Sequence, residues 1–300
     1  MGVKLKLILF ANDQKTADRA ANKAVRRVEE LEQVMSDYRP ASELNLLSDQ
    51  SCEGFQPVSA NLHAVITRSM EISRQSGGAF DITVGPIVQL WRKARLAKRL
   101  PTAVEIRHAR NIVGHHLVKL KPGSICLDAR GMRLDMGGIG KGIGADAALS
   151  VLQEEGLQAS LVELGGDIAV GEAPPGRDHW VIDIELGRSL FIGLSNQGIA
   201  TSGDTEQFIE VEGVRYSHIV DPRTGVGLTN RCRVTVIASD GATADALASA
   251  VSVLGPAKGI ALIETIEDAE AAIFQKLGSG TVATHTSSGF KNLEVAKRPR

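Results

Sequence analysis

Residues 231–255 read RCRVTVIASDGATADALASAVSVLG. The stretch RCRVTVIAS, rich in β-branched residues, predicts a strand, and the Ala-rich stretch from about 242 to 254 predicts a helix. On that helix Asp245 and Ser249 are four residues apart, so they project from one face, one turn apart. A carboxylate and a hydroxyl so placed can reach one hard cation; Mg²⁺ prefers oxygen ligands and often takes only one or two carboxylates plus phosphate oxygens. The plainer reading makes Asp245 a first-turn partner of the helix dipole.

Working outward, short β-rich runs dominate after residue 114: HHLVKL, SICLD, MRLDM, ASLVEL, DIAVG, HWVIDIEL, SLFIGLS, GIATS and EQFIEVEG. A second helix of this region spans about 141–155. The first third is helical. Residues 14–36 place Ala17, Ala21, Ala24, Val28, Leu31 and Met35 at helical spacing. Pro40 stops that helix and Ser42 can cap a short successor. Residues 59–76 repeat the pattern, with Ser59 as cap, Leu62, Ile66 and Met70 inward and Gly77 as terminator. Thr102 and Glu105 form a capping box. The opening residues read as a strand with Val3, Leu5, Leu7 and Leu9 on one face. A helical first third and a β-rich remainder fit an α+β architecture, not a βαβ series.

The chain has 300 residues, 43% of them hydrophobic, enough for one large core or two packed lobes. Lys and Arg total 34 against 35 for Asp and Glu, so no basic excess serves nucleic acid. No run of about 18 apolar residues predicts a membrane span. Cys52, Cys126 and Cys232 form no C-x-x-C pair and read as buried or semi-buried free thiols rather than a thiolate zinc site.

Four other stretches carry candidate chemistry. In RLDMGGIGKGIGAD (133–146) a strand is expected to end at Asp135, with glycines before a helix near Lys141. Such glycines let backbone approach a ligand, or simply turn the chain. The order is not that of a Walker A loop. LVELGGDIAVG (161–171) offers a second glycine pair, a tight turn or another close approach. In GGAFDITVGP (77–86), Asp81 is either a ligand contact or a cap for the next helix. In YSHIVDPRTGVG (216–227), His218 ends a strand and Asp221, Pro222, Arg223 and Thr224 form a corner that would fix it. An imidazole titrating near neutrality is a natural base for a hydroxyl nucleophile, and equally a structural residue.

Taken together, SDYRPASELNLLS, GGAFDITVGPIVQLW, LDMGGIGKGIGAD, LVELGGDIAVG, GIATSGD, YSHIVDPRTG and TADALASAVSVLG resemble, in order, the motifs of the ApbE family of FAD:protein FMN transferases. The resemblance implies an ApbE-like, T-fold-type single domain over 1–290, with mixed or antiparallel sheets flanked by helices. Its parts would be helix-rich 1–114 and β-rich 115–290, closely packed, before a basic tail at 291–300. It implies FAD as substrate and a divalent metal, usually Mg²⁺, with FMN moved onto a Ser or Thr hydroxyl of a target protein and AMP released. Such a target would be, for example, an electron-transport subunit. Two alternatives are an Mg²⁺-dependent FAD pyrophosphatase giving FMN and AMP, and a non-catalytic FAD-binding protein.

The resemblance also implies residue roles. Asp245 and Ser249 match metal positions, Ser249 standing where the family more often has Thr, and Gly138 would add a backbone carbonyl. Asp135, Lys141, Ala79, Phe80, Asp81 and Ile219 fall on FAD-contact positions. Tyr38 matches an adenine-stacking aromatic, Met1 a flavin-nucleotide contact and His218 the base. Family members are usually exported, often as periplasmic lipoproteins. The expectation is an exported protein whose leader is missing from this stretch, reaching a membrane only through such an anchor, with a cytoplasmic location as the alternative.

Overall fold

The computed structural model describes residues 3–185, 189–203, 208–277 and 281–295. Met1 and the tail beyond 295 lie outside the described residues.

Among the described residues a seven-stranded sheet forms the centre. Its strands are β1 (Leu5–Leu9), β2 (Ser160–Leu164), β3 (Asp167–Val170), β4 (Gln197–Gly203), β5 (Cys232–Ala238), β6 (Glu270–Lys276) and β7 (Val282–Thr286). They lie side by side in chain order, every neighbour antiparallel, and the sheet stays open. The register pairs Leu7 with Val162, Ile168 with Ile199, and Val236 with both Ala200 and Ala271.

Seven helices surround it in the described residues: α1 (Gln14–Met35), α2 (Glu43–Asp49), α3 (Ala60–Gln75), α4 (Gly85–Leu96), α5 (Ala103–Arg110), α6 (Gly140–Glu154) and α7 (Gly241–Ile263). The period-two alternation of the strands feeds two cores. Val162, Leu164 and Ala169 share one core with α6 and with Ala20, Ala24 and Val28 of α1, which packs against α6. Leu161, Val170, Ile199 and Ile237 face the other way, against Trp180, Ile192 and Phe290. A third core joins α2, α3 and α7 through Leu44, Leu62, Ile66 and Leu247.

The predicted caps form. Ser42, Ser59 and Thr102 each accept a hydrogen bond from a first-turn backbone N–H, and Thr102 and Glu105 complete the capping box. In α1 the buried stripe is Ala20, Ala24, Val28, Leu31 and Met35, so Ala17 and Ala21 stand beside it rather than in it. Helix α7 is apolar and long enough by composition to cross a membrane. Here it packs on β4, β5, α3 and α6. Its regular part breaks at Gly255, whose φ of 75° precedes Pro256, so a first segment ends near the expected 254 and a second, not expected from the sequence, continues to Ile263.

Three local expectations are corrected. Residues 132–135 form no strand; a single parallel bridge joins Arg133 to Val84. The N-terminus of α4 occupies that side, so close that a Cβ on Gly85 would stand 2.5 Å from the Arg133 carbonyl oxygen. Asp81 does not cap α4, whose cap residue is Val84 with no side-chain hydrogen bond. Its Oδ1 accepts from the Thr83 amide and hydroxyl, and its Oδ2 from the His115 amide. All three cysteines are free, but Cys52 is exposed while Cys126 and Cys232 are buried.

Candidate active site

A cavity of about 920 Å³ opens where α4, the 135–141 segment, the start of α7 and the 216–222 corner converge. That volume suits a sizeable small molecule. Every sequence-predicted site residue among those described lines it: Tyr38, the Ala79–Asp81 segment, Asp135, Gly138, Lys141, His218, Ile219, Asp245 and Ser249.

The floor is built by close backbone approach. A Cβ on Gly142 would lie 2.1 Å from the Gly241 carbonyl oxygen, so only glycine lets α6 meet the start of α7. The Gly142 amide donates to Asp245 Oδ2 at 3.2 Å. Asp146, one turn further on α6, accepts from the amides of Gly241 and Ala242 at 2.7 and 2.8 Å and satisfies the N-terminus of α7. Burial pushes its carboxyl up to about 6. Gly138 is equally constrained: a Cβ there would stand 2.8 Å from Ser249 Oγ and 3.4 Å from the Phe80 ring. The glycine run therefore allows close packing at both Gly142 and Gly138.

Asp245 is 5% exposed, and burial with the neighbouring Asp167 carboxylate holds its proton well above the usual range. Asp167 follows the Gly165–Gly166 turn, both glycines at positive φ, and is 1% exposed. Its Oδ2 lies 2.7 Å from Lys141 Nζ. Burial raises the Asp167 carboxyl, and Lys141 opposes that shift. Among the described residues no cluster of three His, Cys, Asp or Glu side chains offers a metal a full cage. The oxygen set of Asp245, the Ser249 hydroxyl and the adjoining Gly138 backbone fits a hard cation that keeps few protein ligands and completes its shell from substrate.

On the same cavity lining, His218 is exposed immediately after the strand Val214–Ser217. Its neighbours are fixed. Ile219 donates to Ser217 Oγ at 3.1 Å and accepts from the Leu228 amide at 2.9 Å. Asp221 takes a bidentate pair from Arg223, Nε to Oδ1 and Nη2 to Oδ2, both 2.9 Å. Trp91 donates Nε1–H to the Gly225 carbonyl at 2.8 Å and stacks obliquely on Tyr216, tying the corner to α4. Asp221 and Arg223 thus brace the loop, as the sequence suggests.

Two partners escaped the sequence reading. Asp167 was visible only as part of a turn, although a lone carboxylate opening an otherwise apolar strand is a signal for a buried ion pair. Arg92 had no signal. From α4 it reaches Asp37 Oδ2 at 2.7 Å and Asp135 Oδ2 at 3.3 Å. Burial and the nearby Asp37 raise the Asp135 carboxyl.

Residues 1–274 match the ApbE family. A Vibrio cholerae FAD:protein FMN transferase is 34% identical over 248 residues, covering 80% of this chain and 74% of that protein. The structure of the flavin transferase ApbE from Vibrio cholerae, in a histidine-to-glycine variant, superposes with a TM-score of 0.88 at 31% identity, covering 98% of this chain and 96% of that one. The apo flavinyl transferase ApbE of Pseudomonas stutzeri gives 0.86 at 27% identity, covering 99% and 98%. The cavity thus sits in a fold shared along almost the whole length of solved flavin transferases, and this chain belongs to the ApbE family.

Proposed function

We propose that this enzyme transfers FMN from FAD to a Ser or Thr hydroxyl of a target protein, in an Mg²⁺-dependent reaction that releases AMP. The observation that carries this reading is the convergence of His218 and the Asp245–Ser249–Gly138 oxygen set on one cavity of about 920 Å³. Relatives named FAD:protein FMN transferase support the donor, the group transferred and a protein acceptor.

The chemistry balances simply. The target oxygen forms a bond to the FMN phosphorus, the bridging bond to the AMP oxygen breaks, and the hydroxyl proton leaves to a base. His218 stands at the cavity wall beside a braced corner and would take that proton. General-base assistance of this kind is worth about 10² to 10⁴-fold. Asp245, Ser249 and Gly138 would hold Mg²⁺. When bound, the ion would neutralise charge on the diphosphate. The Lys141 ammonium, anchored by Asp167, adds positive potential in the same cavity.

Chromatographic quantitation of AMP tests the reading. With FAD, Mg²⁺ and a target carrying an acceptor hydroxyl, AMP should accumulate one-for-one with modified target. Equal AMP release without target would establish the pyrophosphatase instead.

A further inference from the structure

Arg92 is used by none of the steps above, yet it lines the cavity and contacts three side chains of its surroundings. Its guanidinium carbon lies 4.5 Å from the centroid of the Tyr38 ring. The same group bridges Asp37 at 2.7 Å and Asp135 at 3.3 Å. Tyr38 is 76% exposed, so the guanidinium covers part of the ring and the rest stays open. The connection from α1 to α2 that carries Asp37 and Tyr38 is held independently from below. Asn45 Nδ2 donates to the carbonyls of Ser36, Asp37 and Arg39 at 3.3, 3.1 and 2.9 Å. The backbone is fixed by Asn45, and the exposed ring is left for Arg92 to orient.

We infer that Arg92 is a positioning residue that presents Tyr38 as a stacking platform and sets recognition of the adenine half of the dinucleotide; this rests on the flavin-transferase reading. Three physical points support it. A guanidinium on one ring face restricts the ring and leaves the other for a flat π-system. Arg92 offsets the charge of Asp37 and Asp135, two carboxylates that would otherwise repel an anionic dinucleotide. Those carboxylates are acceptors, which suits the exocyclic amine of adenine. The flavin imide edge flanks its one N–H with two carbonyl oxygens and would meet them poorly.

Equilibrium binding of FAD, AMP and FMN to the full chain tests this. The variants are Arg92→Ala, Arg92→Lys, Tyr38→Ala and the double variant Tyr38→Ala/Arg92→Ala. Arg92→Ala should weaken FAD and AMP about 10-fold while FMN changes less than about two-fold, as expected for loss of one stacked, ion-paired contact. In the Tyr38→Ala background the same change should cost under about three-fold, because the platform is already gone. Arg92→Lys, which keeps the charge and lacks the plane, should recover only part of the loss. In turnover, KM for FAD should rise with kcat within about three-fold.

Unchanged FAD and AMP affinity in Arg92→Ala would overturn the inference alone. So would equal weakening of all three ligands, an undiminished effect without Tyr38, or full rescue by lysine. Wild-type protein that binds neither FAD nor AMP would overturn the flavin reading and this inference together.

Discussion

Lys141 Nζ and Asp167 Oδ2 stand 2.7 Å apart, one from the first turn of α6 and the other from the first residue of β3. Asp167 is 1% exposed, and Asp245 lies beside it, so one ammonium serves two buried carboxyls. Asp167→Ala leaves Lys141 without this anchor. The expected outcome is a loss of roughly 2 kcal/mol in urea unfolding, below the range for fully buried pairs because Lys141 is part-exposed. Weaker FAD binding should accompany it. Unchanged stability and binding would refute the anchoring role.

Mg²⁺ should stabilise the folded chain, because the Asp245–Ser249–Gly138 arrangement exists only there. At about 100 times Kd, such a ligand adds about 2.7 kcal/mol. Burial and the neighbouring Asp167 raise the Asp245 carboxyl in the metal-free protein, so a cation would compete with protons there and affinity should rise with pH. Asp245→Asn should abolish the Mg²⁺-dependent rise in Tm, read by scanning calorimetry.

Gly142→Ala is the sharpest test of the floor. Its methyl would meet the Gly241 carbonyl at 2.1 Å, with the Ala242 Cα at 2.7 Å, and backbone cannot swing aside as a long side chain can. Overpacking of this kind costs typically 1–3 kcal/mol, and about 3 is expected here. The same variant should weaken Mg²⁺ binding, since the Gly142 amide holds Asp245.

Much of this was readable in sequence, and the division follows range. Local signals held: the caps at Ser42, Ser59 and Thr102, the inward Leu62, Ile66 and Met70 of α3, and the end of the first α7 segment at Gly255. These depend on neighbours within about a turn. The apparent strand at 132–135 failed because its β-like composition faces the α4 terminus and not another strand. The nearness of Asp167 to Lys141, and of Arg92 to Tyr38, joins positions far apart in the chain that no local pattern couples. The motifs at Gly138, His218 and Asp245 could be read, but only folding brings them to one cavity.

The pH dependence of stability isolates Asp146. Its folded pKa is raised from 3.8 to about 6 by burial, so between those values the folded state binds more protons than the unfolded one. Its contribution is therefore fully present below about pH 4 and is lost as pH rises through 6. Two pKa units correspond to roughly 3 kcal/mol at most. The wild-type stability curve minus that of Asp146→Asn should fall across this window and level off above pH 7. A flat difference would place the Asp146 proton equilibrium at its ordinary value.

The central claim is that His218 and the Asp245 oxygen set act on one diphosphate. Intact-mass spectrometry of a target protein incubated with FAD, Mg²⁺ and this enzyme tests it most directly. The account predicts a target heavier by one FMN with wild-type enzyme. His218→Ala should bind FAD normally yet slow transfer by about 10² to 10⁴-fold. Normal transfer by His218→Ala, or an unmodified target beside FAD-saturated wild-type enzyme, would contradict it.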